Sequence, residues 1–136
     1  MTIHSCVEIK NEWCIVASRQ AGRDLAKELG FGTVDQARIT TAISELARNI
    51  YLYAKTGEIV IEIVEQSNPS LKKGLQVSAV DKGPGIEDVR QVMKDGFTTS
   101  GGLGAGLPGV RRLMDEFSIE STVGKGTTIV AIKWLR

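Results

Sequence analysis

The sequence predicts an α/β two-layer sandwich of the α+β kind, with a mixed, mostly antiparallel sheet and its helices on one face. Strand-like and helix-like segments run in the order strand, two helices, two strands, a glycine-rich segment with helices, two strands. That order lacks the unbroken β-α-β-α alternation of a parallel sheet. The last four strand-like segments form two pairs, each close enough in sequence to join as antiparallel neighbours. With 136 residues, 42% of them hydrophobic and only 5% aromatic, the chain can fill one aliphatic core and not comfortably two, so residues 1–136 are read as a single domain.

Cys6 to Ile9 alternate in the manner of a strand, leaving His4 before it, and Asn11 stands where an N-cap would start a helix running to about Leu29, with Gly30 as its stop. Thr33 and Gln36 have the S/T-x-x-E/Q spacing of a capping box. Behind them Ile39, Ile43, Leu46, Ile50 and Tyr53 recur at steps of four and three, the stripe of one buried helix face, and Gly57 is its expected end. Glu58 to Glu65 is rich in β-branched residues, and Leu75 to Asp81 reads as its neighbour. From Lys82 to Gly109 the chain concentrates eight of its fifteen glycines: Gly83, Gly85, Gly96, Gly101, Gly102, Gly104, Gly106 and Gly109. A short helical pattern around Val89, Val92 and Met93 interrupts them, and Pro108, at a plausible first position, opens a helix through Met114. Phe117 to Thr122, a turn at Val123 to Gly126, and Thr127 to Trp134 read as a closing hairpin.

Composition excludes several classes of function. Seventeen basic against sixteen acidic residues leave a charge of +1 without a block of one sign, which argues against a nucleic-acid binder working by phosphate neutralisation. Apolar runs are too short for a membrane span, and Met1 to Asn11 lacks the pattern of a secretion signal, so a cytoplasmic location is expected. Cys6 and Cys14, with one histidine, make neither a disulfide framework nor a zinc site and are read as small core residues.

Three segments could carry chemistry. Gly101-Gly102-Leu103-Gly104-Ala105-Gly106-Leu107 before a helix start reads equally as a phosphate cradle, with backbone N–H groups free to approach an anion, or as a surface loop. Gly104 to Gly109 spells G-x-G-x-x-G, but no apolar strand precedes it and too little chain follows for a Rossmann half. The P-loop pattern fails because Gly124-Lys125 is followed by Gly126. On the second helix, Glu45 and Asn49 share one side, roughly 6 Å apart along the axis. They fit a general base beside a magnesium ligand, or simply two solvated polar residues; Arg48 faces away from the stripe as plain surface charge. Asp81-Lys82-Gly83-Pro84-Gly85 after a strand is an ordinary turn, or a carboxylate positioned to accept from an exocyclic amine beside glycines that admit a flat ring.

The order of these pieces, closed by Gly124-x-Gly-Thr127, resembles the N box, G1 box, G2 box and final Thr motif of the GHKL ATPase superfamily over nearly the whole chain. Thr33 to Ala54 and Asp95 to Phe117 are similar, more closely, to the switch-protein serine/threonine kinases of the bacterial stressosome. The resemblance implies a Bergerat-type sandwich holding ATP between helices and sheet under a lid. Carried over by motif, it makes Glu45 the catalytic base, Asn49 the Mg2+ ligand and Asp81 the adenine-amine contact. Gly83 and Gly85 would border the base; Gly102, Gly104 and Gly106 would hold phosphate, with Leu107 beside them; Thr127 would support the base pocket.

It further implies STAS-domain scaffold and antagonist proteins as substrates and a PP2C-type phosphatase activated by the released kinase. The alternative is a nucleotide-gated binding module or anti-sigma-type adaptor with little turnover. Histidine-kinase function is disfavoured, because His4 lies in no dimerisation helix; topoisomerase-like or chaperone-like roles need further domains. The chain departs from many related kinases in having no basic residue between Lys94 and Arg111, so Lys82, Arg111 or a partner's residue must supply charge to the γ-phosphate.

Overall fold

The computed structural model describes residues 2–93 and 106–136. β1 (Thr2–Ile9) leads into α1 (Glu12–Leu29), α2 (Thr33–Asn49) and a π-helical turn (Ile50–Ala54). Then come β2 (Gly57–Gln66), β3 (Lys72–Asp81), the short α3 (Val89–Val92), α4 (Gly106–Leu113), β4 (Glu116–Thr122) and β5 (Gly126–Trp134). β1 is longer than the predicted Cys6 to Ile9 and includes the backbone of His4.

α1 starts as predicted, with the Asn11 side chain accepting from the Cys14 backbone N–H at 3.2 Å, and it ends at Gly30 with φ 102°. α2 does not use the predicted reciprocal cap. Thr33 is already helical, Gly32 occupies the cap position, and Gln36 Nε2 donates back to the Phe31 carbonyl at 2.7 Å. The three-residue connection from α1 leaves Thr33 no room to sit outside the helix, so Gln36 instead ties down the connection that carries buried Phe31.

Ile39, Ile43, Leu46 and Ile50 are 0–1% exposed, and burying each contributes about 1.5–3 kcal/mol. Tyr53 departs from this stripe at 43% exposure. After Asn49 the helix widens, and the Lys55 N–H reaches back five residues to the Ile50 carbonyl at 2.9 Å. That wider turn rotates Tyr53 off the buried line. Lys55, at φ 72°, ends the helix, and Gly57 begins β2.

The sheet order is β1-β2-β3-β5-β4, and all four pairings are antiparallel, not the mixed arrangement expected. The reason is the pair of helices between β1 and β2: one crossover helix returns the chain for a parallel strand, whereas two reverse it once more. Ile59 and Ile61 of β2, Leu75, Val77 and Ala79 of β3, and Ile129 and Ala131 of β5 are buried in one core with Ile43, Leu46 and Ala47 of α2 and Val110 of α4. Intervening residues such as Val60, Ser78 and Val130 are only half-buried, so the helices cover one face.

Neither cysteine is fully buried. Cys6 is exposed on β1, where its thiol donates to Glu58 Oε2 at 3.4 Å, and Cys14 is half-buried. Partial burial, then the Glu58 hydrogen bond and the charges of Glu58 and Glu8, push the Cys6 thiol up and keep it protonated. Pro108 is the third residue of α4, where its missing N–H still costs no helical hydrogen bond. Among the described residues no helix is long and apolar enough to cross a membrane.

Candidate functional site

Asp81 at the end of β3 lies in register with Thr127 at the start of β5. Around these strand ends the π-helical turn, the loop through Pro84 and Ile86, Val92 of α3 and Leu107 in the first turn of α4 enclose a cavity of about 270 Å³. Its walls are mainly Tyr53, Ala54, Pro84, Ile86, Val92 and Leu107, and its polar groups are Asn49, Asp81 and Thr127. Apolar walls with a few convergent polar atoms suit a flat heteroaromatic ring, whose faces need dispersion contact and whose edge needs hydrogen bonds.

Local geometry explains how each polar group is held. Asp81 Oδ1 accepts the Gly83 N–H at 2.9 Å, which fixes the carboxylate; its second oxygen takes no partner from the described residues. Thr127 is buried, and its Oγ1 lies 2.7 Å from Ser121 Oγ. Ser121 Oγ also accepts from the Ile86 N–H at 2.7 Å, so the β4–β5 hairpin and the cavity loop share one hydroxyl. Asn49 ends α2, where the widened turn begins.

Two glycines are required by this packing. A Cβ on Gly83 would stand 2.6 Å from the Ala54 Cβ, and one on Gly85, at φ 79°, would collide with the Thr122 carbonyl oxygen. Gly85 lines the cavity, whereas Gly83 packs behind it against Ala54.

The sequence-predicted residues therefore divide. Asn49, Asp81, Gly85, Leu107 and Thr127 meet in one cavity. Gly106 opens α4 at φ 53° beside Leu107. Gly102 and Gly104 lie outside the described residues. Glu45, one turn before Asn49, lines a separate groove between α1 and α2, and so does Arg48, which is half-buried and not plain surface charge. Lys82 does not line the cavity; it lines a neighbouring depression with Cys6, Glu8 and Glu58 that shares Asp81 with it. Sequence reasoning missed Ser121, Ile86 and the cavity role of Tyr53. The hairpin register, which sets Ser121 opposite Thr127, was the available signal for the first.

The donor set fits Mg-ATP. An Asn49 amide oxygen is a hard neutral ligand, and among the described residues no group of three or more His, Cys, Asp or Glu side chains forms a metal cluster. Magnesium held mostly by nucleotide phosphates and water needs only such a single protein contact.

Comparison with known proteins agrees. The family described as histidine kinase-, DNA gyrase B- and HSP90-like ATPase matches residues 34–136. The chain is 70% identical to the serine/threonine-protein kinase RsbT of Bacillus subtilis (strain 168) over the full length of both. It is 34% identical to an anti-sigma F factor of Caldanaerobacter subterraneus subsp. tengcongensis over 102 residues, covering 73% of this chain and 70% of that one. The fold is similar to the RsbU and RsbW domains of a Mycobacterium tuberculosis protein, with TM-score 0.63 at 17% identity, over 98% of this chain and 34% of that one. It is similar also to the SiaB–SiaC complex of Pseudomonas aeruginosa, with TM-score 0.57 at 13% identity, over 98% and 91%. A cavity built from the N-box helix, the Asp81 strand end and the final Thr strand, together with these matches, places the chain in the histidine kinase-, DNA gyrase B- and HSP90-like ATPase family, among its RsbT-type serine/threonine-protein kinases.

Proposed function

We propose that residues 1–136 form one Mg-ATP-dependent protein serine/threonine kinase domain that acts on STAS-domain antagonist and scaffold proteins of a stressosome. On release it binds and activates a PP2C-type phosphatase. The observation that carries this reading is the convergence of Asn49, Asp81, Leu107 and Thr127, from four separate elements, on one mainly apolar cavity.

In this reading the adenine ring lies between the Tyr53, Ile86 and Leu107 walls with its exocyclic amine donating to Asp81, and Thr127 supports the same edge. Asn49 would hold magnesium through its amide oxygen, and the ion would supply positive charge to the phosphates. Gly106, with Gly102 and Gly104, offers backbone N–H groups to phosphate. Glu45 accepts the proton of the partner's Ser or Thr hydroxyl as that oxygen forms its bond to the γ-phosphorus; the bond from phosphorus to the β,γ-bridging oxygen breaks, and ADP leaves.

The similarity to an anti-sigma F factor favours a second reading, in which bound nucleotide orders a docking surface and little phosphate is transferred. Incubation with labelled ATP and a STAS-domain protein separates the two. Label should pass to the partner and fall by about 100-fold or more in Glu45→Ala. An unlabelled partner in an intact complex would establish the adaptor instead.

A further inference from the structure

A phosphoryl group in transfer is stabilised by fixed positive charge, and the glycine-rich segment offers none. From Asp95 to Val110 the sequence holds no basic residue. Lys82 belongs to a depression that shares Asp81 with the cavity and not Asn49, so it borders the end read as the base contact. Arg111 is exposed in the last turn of α4, five residues beyond Gly106 and so about 7.5 Å further along the helix axis.

Arg48 is better placed. It directly precedes Asn49, which lines the cavity from the end of α2, and it follows Glu45 by three residues, so the Cβ atoms of Glu45 and Arg48 stand about 5–6 Å apart on one side of the helix. At about 100° per residue, Arg48 lies roughly 60° to one side of Glu45 and Asn49 roughly 40° to the other. A group reacting at Glu45 is therefore flanked by a guanidinium and an amide. The helix is anchored at this point, because Leu46, Ala47 and Ile50 are 0–1% exposed. Arg48 is half-buried, lines the groove between α1 and α2 with Glu45, and forms no ion pair or hydrogen bond among the described residues. The facing wall of the groove carries Arg19 and Arg23, so nothing there neutralises it. A charge held on a rigid element and left unpaired by the protein is what preorganised stabilisation of a developing anion requires.

We propose that Arg48 is a further catalytic residue, whose guanidinium fork binds oxygens of the γ-phosphoryl group as that group passes to the partner's hydroxyl at Glu45. The acceptor oxygen forms its bond to phosphorus and gives its proton to Glu45. The bond from phosphorus to the β,γ-bridging oxygen breaks, its electron pair leaves with ADP, and Arg48 keeps its proton and charge throughout. Two parallel N–H···O bonds match two phosphoryl oxygens, a geometry that an ammonium group does not supply. This role of Arg48 rests on the kinase reading of Glu45 and Asn49, and it adds the positive charge that the glycine-rich segment lacks.

The test uses the full chain with a purified STAS-domain acceptor, measuring label transfer from ATP at varied acceptor and ATP concentrations and ADP binding by calorimetry. Arg48→Ala should lower kcat by about 100-fold or more, with the acceptor KM and the ADP affinity within about threefold of the wild type. Arg48→Gln keeps most of the packed stem without the charge and should lose as much, so the test survives if the alanine variant does not fold. Arg48→Lys should recover part of the rate, and guanidinium ion added at millimolar concentration should raise the rate of Arg48→Ala by about tenfold, which a purely structural role would not allow. The loss in Arg48→Ala should also exceed that in Lys82→Ala or Arg111→Ala by about tenfold. A wild type that labels the acceptor while Arg48→Ala and Arg48→Gln keep its kcat overturns the role of Arg48 and leaves the kinase reading intact. So does a rise in acceptor KM at unchanged kcat, which would put Arg48 against the partner and not the phosphoryl group, or a larger loss in Lys82→Ala or Arg111→Ala. A wild type that binds ATP and never labels an acceptor overturns the kinase reading, and the phosphoryl contact with it.

Discussion

The β3–β5 ladder has two ends built from similar residues that behave differently. At one end Asp81 faces Thr127; at the other, about 23 Å away at 3.3 Å per residue, Gly74 faces Trp134. At the Trp134 end the polar groups are spent on one another. Lys133, with its side chain 8% exposed, donates to the Leu113 carbonyl at 3.2 Å and lies 3.6 Å from Asp115 and 3.8 Å from Asp35. Asp115 also accepts the Trp134 N–H at 2.7 Å and pairs with Arg136 at 3.2 Å. Glu116 accepts from the Trp134 indole at 2.6 Å, and Lys72 covers the ring face at 4.5 Å. At the Asp81 end one carboxylate oxygen is committed to Gly83, the other takes no partner among the described residues, and a cavity opens beside it. Saturation of hydrogen-bonding capacity, more than residue type, separates a structural polar cluster from a binding one.

The sharpest way to break this comparison is to remove an acceptor from the saturated end. Asp115→Ala takes the nearer carboxylate from the buried Lys133 ammonium, which keeps the Leu113 carbonyl and Asp35, and removes the acceptor of the Trp134 N–H, and it should lower unfolding free energy by about 3 kcal/mol. Urea titration reads the loss, while nucleotide affinity of the folded variant should stay within about twofold of the wild type. A large drop in affinity with unchanged stability would erase the distinction between the ends.

Asp81→Asn makes the opposite cut. Asparagine keeps an oxygen for the Gly83 N–H, so stability should move by less than about 0.5 kcal/mol. The amide loses the charge that strengthens a hydrogen bond to an amine, so ATP affinity should fall by about tenfold or more in calorimetry. Unchanged affinity would show that the leftover oxygen is not the nucleotide contact and that the cavity end is only an unfilled version of the other.

What the chain makes legible follows the same division between local and long-range physics. The Asn11 cap, the Gly30 stop and the Ile39, Ile43, Leu46 and Ile50 stripe are local, and all stand as the spacing predicts. Asn49, Asp81, Leu107 and Thr127 are legible as separate motifs, and only their order hints that they share a cavity. Tyr53 escapes the pattern because periodicity assumes a uniform helix, and one i to i+5 hydrogen bond at Lys55 shifts its phase. Thr33 escapes it because a capping box needs an extended residue where the short α1–α2 connection already demands helix. Ser121 and the groove that Arg48 lines depend on strand register and on the packing of α1 against α2, which no single segment contains.

The smallest expected effect sharpens the comparison through pH. Burial by itself would raise the Asp115 carboxyl, but the Trp134 N–H, the Lys133 ammonium and the Arg136 guanidinium outweigh it and hold the group below its ordinary value of 3.8. A carboxyl whose folded value lies below its unfolded one binds fewer protons when folded. Its stabilisation is complete above the unfolded value and disappears as pH falls through the folded one. The urea midpoint of the wild type should therefore exceed that of Asp115→Asn by a constant margin from neutral pH to about pH 5, and the margin should narrow below about pH 4. A margin that stays constant to the lowest pH at which both proteins fold would mean that Asp115 contributes through shape and hydrogen bonding alone. In that case Lys133 would owe its buried position to the Leu113 carbonyl and Asp35, and replacing it with methionine, a side chain of similar length without the charge, should leave the pH profile as it is.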